Sequence, residues 1–313
     1  MSQPTKVPAA PRPLGLIALC IAIVCFSLGS TLVRKAAIPG PTMAFWRMLI
    51  TTALWWTILW FSEHRFINRH DLRRALVPGI VFGLNIMCFF TGVTKTSVAN
   101  AEFIGSLTPI ILVPAGAMLF KEKINVRALS FGLVSLVGLI IVLFNAPPHG
   151  EATWTGNVII FIAMLLWASY LLTSRRLRGM SVQSIMAAIM PIASVAIFPF
   201  AWLHGDLPKL TVHSVPYIII LALMTGTMAH GFIVYAQRSV PVGTISIMQV
   251  AQPALAVCWA YLLLDQSIKP IQLLGMALVI VGLVAVVTLT RRSANAATKL
   301  ADDVGTGVSP ADS

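Results

Sequence analysis

Apolar residues occupy the chain in long runs that are separated by short polar segments. A helix of roughly 20 apolar residues is long enough to cross the hydrocarbon core of a bilayer. The pattern therefore predicts an all-α integral membrane protein rather than a soluble domain. We expect ten transmembrane helices, at 14–33, 42–61, 76–94, 98–120, 128–145, 155–174, 183–203, 215–236, 242–264 and 271–290.

The ten runs fall into two copies of five. Pro109 in the fourth run is matched by Pro253 in the ninth, an offset of 144 residues, and the same offset relates Gly138 to Gly282. Because five is an odd number, the second copy must enter the bilayer in the opposite orientation. The pattern therefore predicts two inverted five-helix repeats. Many secondary transporters have this architecture, with the solute site near the midplane between the repeats.

The repeats divide the chain into five segments. The connection between them is rich in Pro and Gly, which is typical of a linker, and the C-terminal end lacks an apolar pattern. We expect a cytoplasmic N-terminal segment at 1–13, a first repeat at 14–145, an extracytoplasmic linker at 146–154, a second repeat at 155–290 and a disordered cytoplasmic tail at 291–313.

The basic residues indicate how the helices are oriented. With a cytoplasmic N-terminus, the inner segments hold 16 of the 22 basic residues and the outer segments hold 5, as the positive-inside rule requires. We therefore expect a multi-pass protein of the cytoplasmic membrane with both termini in the cytoplasm. The inner set is Lys6, Arg12, Arg65, Arg69, Arg73, Arg74, Lys121, Lys123, Arg127, Arg175, Arg176, Arg178, Arg238, Arg291, Arg292 and Lys299, and the outer set is Arg34, Lys35, Lys95, Lys209 and Lys269.

Composition and motifs argue against several classes of function. Charged residues make up only 10% of the chain, whereas they are about a quarter of a soluble domain. The net charge of +12 is explained by the basic residues that orient the helices in the membrane. We therefore expect no nucleic-acid partner. The chain has no phosphate-binding motif of the G-x-x-x-x-G-K-[ST] type, so we expect no ATP-driven pumping. The four cysteines are Cys20, Cys25, Cys88 and Cys258. They lack the spacing of metal ligands, and we expect no cofactor or metal.

Three local features are similar to those of a known family. They are the Phe45-Trp46-Arg47 start of the second span, the Ser106-Leu107-Thr108-Pro109 stretch that leads to Lys121-Glu122-Lys123, and the Gly-rich last helix of each half. With the five-plus-five pattern over 14–290, the chain resembles the EamA-type branch of the drug/metabolite transporter superfamily. The resemblance implies ten helices, a central cavity and solute transport, but no particular solute. The second half departs from the pattern at Asp265-Gln266, and its seventh span has no arginine equivalent to Arg47.

Two charged residues fall inside predicted spans. An ionisable group in a helix costs about 2.5–3.5 kcal/mol on insertion scales, so it usually faces a cavity or a partner. Arg47 lies in the second span and Glu102 in the fourth, both toward the outer side. They could pair with each other, reach the interface separately, or face an outer vestibule together. In the last case Arg47 would attract an anionic solute group, and Glu102 would contact a cation or accept a proton.

His230 lies in the eighth span, on the inner side of its centre. We therefore expect it to lie toward the opposite membrane face from Glu102. A histidine can change its charge near neutral pH, so His230 is a candidate to sense pH or to bind a polar solute, while packing against a neighbour is the simpler role. Asn85, Tyr170 and Tyr235 are weaker candidates, for which we expect packing roles.

Two polar sites next to prolines occupy matching positions in the two halves. Gln249 and Gln252 lie on one face of the ninth span just before Pro253, and Thr108 precedes Pro109 in the fourth. A proline frees a backbone carbonyl one turn earlier and can kink the helix, and the freed group then needs a partner or water. We expect helix kinks at both prolines. Binding of a solute by these polar side chains and hydrogen bonding between helices are both open.

These patterns predict the function in outline. We expect a secondary transporter of a small polar or amphipathic metabolite that works by alternating access and has no catalytic residues. Proton coupling is an option, membrane lipid is a partner, and the oligomeric state cannot be read from the sequence. A passive channel or facilitator on the same scaffold is the alternative. An intramembrane enzyme is disfavoured because the spans bring no pair of catalytic residues together.

Overall fold

The computed structural model describes residues 13–96, 98–122, 125–145, 153–203, 207, 210–264 and 269–306, and within them the chain is helical with no strand. The helices are numbered in chain order, with a π-helical turn between α10 and α11. They are α1 Pro13–Ser27, α2 Gly29–Ala36, α3 Gly40–Glu63, α4 Arg69–Lys95, α5 Val98–Ser106, α6 Pro109–Phe120, α7 Val126–Phe144, α8 Trp154–Arg175, α9 Val182–Leu203, α10 Ser214–Leu221, the π-helix Ala222–Ala229, α11 His230–Ala236, α12 Val242–Gln249, α13 Ala251–Leu264 and α14 Pro270–Thr306.

The helices make this a multi-pass membrane protein. In the described part of the chain, nine helices or helix pairs are long and apolar enough to cross a membrane. Each coincides with one of the expected spans. The remaining expected span, 42–61, lies in α3, which has 24 residues but carries Arg47 and is less apolar than the others. Ten spans thus stay a prediction, while the all-helical membrane fold is confirmed.

Several spans are interrupted near their middle. The fourth span breaks at Leu107 and Thr108, where Pro109 begins α6 and Thr108 Oγ1 donates to Gly105 O at 2.6 Å. The ninth breaks at Val250, and Pro253 lies in the first turn of α13. Both prolines therefore start a new helix, where a missing backbone N–H costs little.

The last helices of the two halves, α7 and α14, pack closely through glycines. A Cβ atom on Gly138 would lie 2.6 Å from Gly275 O, and a Cβ atom on Gly282 would lie 2.7 Å from Phe131 O. Ser135 Oγ donates to Val279 O at 3.3 Å. Small residues allow this approach, which supplies the van der Waals contact that holds helices together in lipid.

Helix α14 is longer than expected from the sequence. It runs through Thr306, past the expected start of a disordered tail at 291. Its extension contains several alanines together with Lys299 and Leu300, and these residue types favour helix even without an apolar pattern. Other expectations lie outside the described residues: most of the N-terminal segment and the linker, Asp265-Gln266, and the last residues of the tail.

The loop between α3 and α4 is held by ionic contacts. Arg65 Nε lies 2.8 Å from Glu63 Oε2 and its Nη1 atom lies 2.9 Å from Asp71 Oδ2. Hydrogen bonds to Asp71 and then to Glu63 raise the pKa of the Arg65 guanidinium. Arg65 and Glu63 also contact Ser184 at the start of α9, so this network joins the first half of the chain to the second.

Candidate functional site: a central cavity

A cavity lies between helices of the two halves. It contains about 900 Å³ of space, its opening to solvent included. Its walls combine aromatic side chains with a few polar ones. We call it the central cavity; its lining is Phe26, Gly29, Arg47, Asn85, Ile86, Phe89, Phe90, Ala101, Glu102, Gly105, Ser106, Thr108, Ile160, Ala163, Met164, Trp167, Thr225, His230, Ser246, Gln249, Gln252 and Pro253.

The central cavity brings together side chains that are far apart in the sequence. All six residues expected to bind solute line it: Arg47, Glu102, Thr108, His230, Gln249 and Gln252. Of the two prolines expected to kink helices, Pro253 lies in the wall, whereas Pro109 is outside it among the described residues and starts α6 next to Thr108.

Arg47 is a buried cation without a nearby anion. Its side chain is 1% exposed, and in the described part of the chain no carboxylate lies within 4.0 Å of its guanidinium. Nε points to Leu221 O at 3.5 Å, the guanidinium carbon lies 5.5 Å from the centre of the Phe90 ring, and Nη1 has no hydrogen-bond partner within the described structure. The ion pair with Glu102 considered from the sequence is therefore not formed.

Glu102 supplies a carboxyl group to the central cavity. It is 5% exposed and its carboxyl group lies next to the Ser30 hydroxyl, although that hydroxyl makes no hydrogen bond of good geometry within the described residues. The cavity wall thus carries a guanidinium group and a carboxyl group that do not pair with each other.

An aromatic box surrounds His230. The ring centroids of Phe82, Phe26, Trp167 and Tyr170 lie 4.6, 4.7, 5.9 and 6.4 Å from that of His230. His230 Nδ1 contacts Thr225 O. Since a carbonyl oxygen can only accept, we assign the proton of a neutral ring to Nδ1, which leaves Nε2 as an acceptor. Nε2 is buried and unpartnered in the described structure, and so is the Tyr170 hydroxyl.

The π-helix positions two of these polar groups. Leu221, the residue before it, offers its carbonyl to Arg47, and Thr225 within it offers its carbonyl to His230. A π-helix has weaker, wider backbone hydrogen bonding than an α-helix and is frequent at functional sites. Here it makes backbone carbonyls available to a cation and to a histidine in the wall of the central cavity.

The glutamines of α12 and α13 line the cavity beside α8. Trp167 Nε1 donates to Gln249 Oε1 at 3.4 Å, which links the second half's first helix to its fourth. Ser246, one turn earlier, also lines the cavity, and its hydroxyl donates to Gly243 O at 2.8 Å. The polar residues of the ninth span that line the cavity therefore include Ser246 as well as the two glutamines expected from the sequence.

Sequence reasoning missed or misplaced several wall residues. Trp167 and Phe26 were not expected, since single aromatics in apolar runs give no signal of a site. Asn85, expected only to pack, lines the cavity and donates to Ala163 O at 2.8 Å. Glu102 and His230, which are expected toward opposite membrane faces, both line the central cavity.

The central cavity offers groups that can recognise a polar solute. In the described residues, no group of three or more His, Cys, Asp or Glu side chains could hold a metal ion. The unpartnered donor of Arg47, the carboxyl group of Glu102 and the acceptor of His230 are groups that can bind a polar solute. The aromatic wall can pack against its apolar part.

Comparisons with known proteins agree with this geometry. The family model of the EamA-like transporter family matches residues 13–144 and 154–288. An uncharacterized transporter of Helicobacter pylori strain J99 is 25% identical over 279 residues, covering 85% of this chain and 92% of its own. The pseudopaline exporter CntI of Pseudomonas aeruginosa is 20% identical, covering 60% of this chain and 66% of its own. These relatives are named as transporters and not as enzymes.

A solved crystal structure shares the fold. It superimposes with a TM-score of 0.76 at 16% identity, and the match covers 90% of this chain and all of that one. At this identity the likeness concerns the fold alone.

Proposed function

We propose that this chain, which belongs to the EamA-like transporter family, is a secondary transporter of the cytoplasmic membrane that moves a small polar or amphipathic metabolite by alternating access. Its ten helices would form two inverted halves, with both termini in the cytoplasm. The central cavity would be the solute site. A passive channel on the same scaffold is the alternative that transport kinetics must exclude.

The proposal rests mainly on Arg47, which is buried in the wall of the central cavity without an anionic partner among the described residues. A buried charge without a partner is costly, and in membrane helices such residues usually mark a substrate or ion pathway. Here the missing partner would be an anionic group of the solute, and Glu102 would contact its positive or hydrogen-donating part. The solute that fits this wall best carries both an anionic group and N–H donors, beside an apolar part that packs on Phe26 and Trp167.

Contacts between the halves support the inverted arrangement. Ser135 and Val279, which are hydrogen-bonded, are 144 residues apart, the offset of the repeat. Contacts between equivalent positions are expected near a two-fold axis that relates the halves. The close contact of Gly138 with Gly275 also has a counterpart in the contact of Gly282 with Phe131. In the repeat, Gly282 is equivalent to Gly138, and Gly275 is equivalent to Phe131.

The solute class can be tested by binding to the purified protein. A metabolite screen by thermal shift would be followed by matched triplets: an amino-carboxylate, its amide, which lacks the anion, and its deaminated acid, which lacks the amine. A ligand that binds the folded state raises its apparent stability, so we expect the largest shift from the first member of each triplet. A screen in which no metabolite of any class stabilises the protein would contradict a solute site in the central cavity.

The glutamines give a prediction on affinity. We expect Gln249→Leu combined with Gln252→Leu to weaken binding of the stabilising solute by roughly 10- to 100-fold, since each lost hydrogen bond contributes about 1 kcal/mol. Titration calorimetry measures this loss. Gln183→Leu is the control, because Gln183 does not line the cavity and should leave affinity unchanged. Equal affinity of the folded double variant and the wild type would remove the glutamines from the site.

Glu102 gives a prediction on coupling. If it carries the proton, Glu102→Gln should reduce uptake driven by a proton gradient to the level seen without a gradient, because glutamine cannot exchange a proton. Uptake into proteoliposomes with and without an imposed gradient measures this. Glu63→Gln, outside the cavity, should keep the response of the wild type. A Glu102→Gln protein with full gradient-dependent uptake would exclude Glu102 from coupling.

A further inference from the structure

A cluster of buried polar groups lies beyond one end of the central cavity. It consists of Glu122, Arg175, Gln237 and the first turn of α12 at Val242 and Gly243, and we call it the gate cluster. We infer that its ion pair, Glu122–Arg175, is the gate that holds this end of the cavity closed and must separate for solute to pass. The inference rests on the proposed transport function, and its test does not require the solute.

Glu122 joins two helices of different halves. Its Oε1 atom lies 2.8 Å from Arg175 Nη2 and accepts from Val242 N at 3.1 Å, while its Oε2 atom accepts from Gly243 N at 3.4 Å. A carboxylate at a helix N-terminus is favourable, since it satisfies free N–H groups and the helix dipole. The carboxylate therefore fixes the start of α12 to the end of α6.

Local backbone geometry places Glu122 in this position. Lys121 adopts a left-handed conformation (φ 54°) that ends α6, and Glu122 N donates back to Gly116 O at 3.3 Å. Gly116 leaves room for the carboxylate, because a Cβ atom there would lie 2.6 Å from Glu122 Oε2. The turn and the glycine together aim the side chain at α12.

Arg175 connects the same carboxylate to the segment before α12. Its Nη1 atom donates to Gln237 O at 2.9 Å and to Val240 O at 2.6 Å, and its guanidinium carbon lies 5.4 Å from the Phe120 ring centre. The Gln237 side chain accepts from Ser174 and donates to Leu171 O. Most polar groups of the cluster are thus satisfied by protein, and it closes against α6, α8 and α12.

The gate cluster lies outside the cavity but close to it. In α12 the cavity wall begins at Ser246, one turn after Val242, and in α8 the wall ends at Trp167, about 12 Å of helix before Arg175. None of the cluster's residues is part of the wall in the described structure. The gate cluster therefore lies between the cavity and the end of the molecule at which α6 is connected to α7. The distribution of basic residues predicts that this end faces the cytoplasm.

The two ends of the cavity carry arginines at equivalent positions of the repeat. At the opposite end Arg34, in α2, donates to Thr96 O before α5, as Arg175 does to Val240 O before α12. The repeat, however, has Gln266 where the other half has Glu122. Among the ion pairs in the described residues, Glu122–Arg175 is the one in which both side chains are less than a tenth exposed.

A buried ion pair suits a gate for a physical reason. The attraction between its charges is largely offset by the loss of their hydration. When the helices separate and water enters, hydration is regained, so opening costs less than the strength of the contact suggests. Separation of two apolar surfaces would expose them to water without a comparable gain in hydration free energy, so an apolar gate would lack this compensation.

The test measures access to the cavity from the gate side. Ser246→Cys places a thiol in the cavity wall just beyond the gate cluster, in a protein whose four native cysteines are replaced by serine. A membrane-impermeant maleimide is then added from either side of oriented vesicles. We expect Glu122→Gln to raise the labelling rate from the gate side about tenfold, since a minor open state of a few per cent can gain about that much population. Arg175→Lys, which keeps the charge, should give a smaller increase.

Two controls distinguish the gate from general loosening. Arg34→Gln, at the equivalent position of the opposite end, and Glu63→Gln, at another contact between the halves, should not raise labelling from the gate side. Unchanged labelling in both Glu122→Gln and Arg175→Lys would overturn the inference, as would an equal increase in either control. If Glu122→Gln does not fold, Arg175→Lys decides alone. Labelling that responds as expected in a protein that binds no solute would keep the gate but reject the proposed function.

Discussion

Arg47→Met is expected to weaken solute binding by about 10²- to 10³-fold and to leave the apparent melting temperature unchanged or higher. The loss follows because truncating one partner of a buried charged contact costs about 2–5 kcal/mol. The effect on stability has the opposite sign because the free protein no longer buries a cation that lacks a counter-ion. Titration calorimetry and thermal unfolding of the same preparations measure the two quantities.

The control for this prediction is an arginine with partners. Arg65 is paired with Glu63 and Asp71 outside the cavity, so Arg65→Met should lower stability and leave affinity unchanged. A structural role of Arg47 would give a different result. Arg47→Met would then lower the melting temperature, and its affinity for solute, measured on the protein that remains folded, would equal that of the wild type.

Gly138→Val is expected to cause a large loss of stability. A Cβ atom at this position would lie 2.6 Å from Gly275 O and 2.8 Å from Leu278 Cβ, so α7 and α14 would have to separate. Overpacking of this kind typically costs about 1–3 kcal/mol and occasionally more. The amount of folded protein in detergent and its thermal unfolding measure the effect.

Gly179 provides the matched glycine. It follows α8, and a Cβ atom there would meet no described atom within 4 Å, so Gly179→Val should be close to neutral. If Gly138→Val were as stable as Gly179→Val, the close packing of α7 on α14 would not be a main contact between the halves.

Much of the helical framework can be predicted from the sequence, because a bilayer restricts the backbone structures that can cross it. Backbone groups in a bilayer must be satisfied within the chain, so long apolar runs have few alternatives to helix. The runs around Pro109 and Pro253 are expected as kinked spans, and each consists of two helices with the proline in the first turn of the second one. The cost of a buried charge likewise singled out Arg47 and Glu102, which both line the central cavity.

The parts that were not foreseen depend on contacts between distant helices. No periodicity in the sequence distinguishes the π-helix Ala222–Ala229 from ordinary helix, yet it supplies the carbonyl that holds His230. Trp167 looks like any aromatic of an apolar run until α8 packs beside α12. Glu122 was noticed as part of a motif, but its partner Arg175 is 53 residues further along the chain and counted only as an orientation charge.

We expect a solute that is bound in the central cavity to be carried across the membrane. Counterflow tests it most directly: proteoliposomes are loaded with an excess of the unlabelled stabilising solute and diluted into a trace of the labelled one. We expect a transient accumulation of label above its external concentration, which saturates with solute and is absent in Arg47→Met. Label that only equilibrates, or accumulation that is the same in Arg47→Met as in the wild type, would contradict the claim.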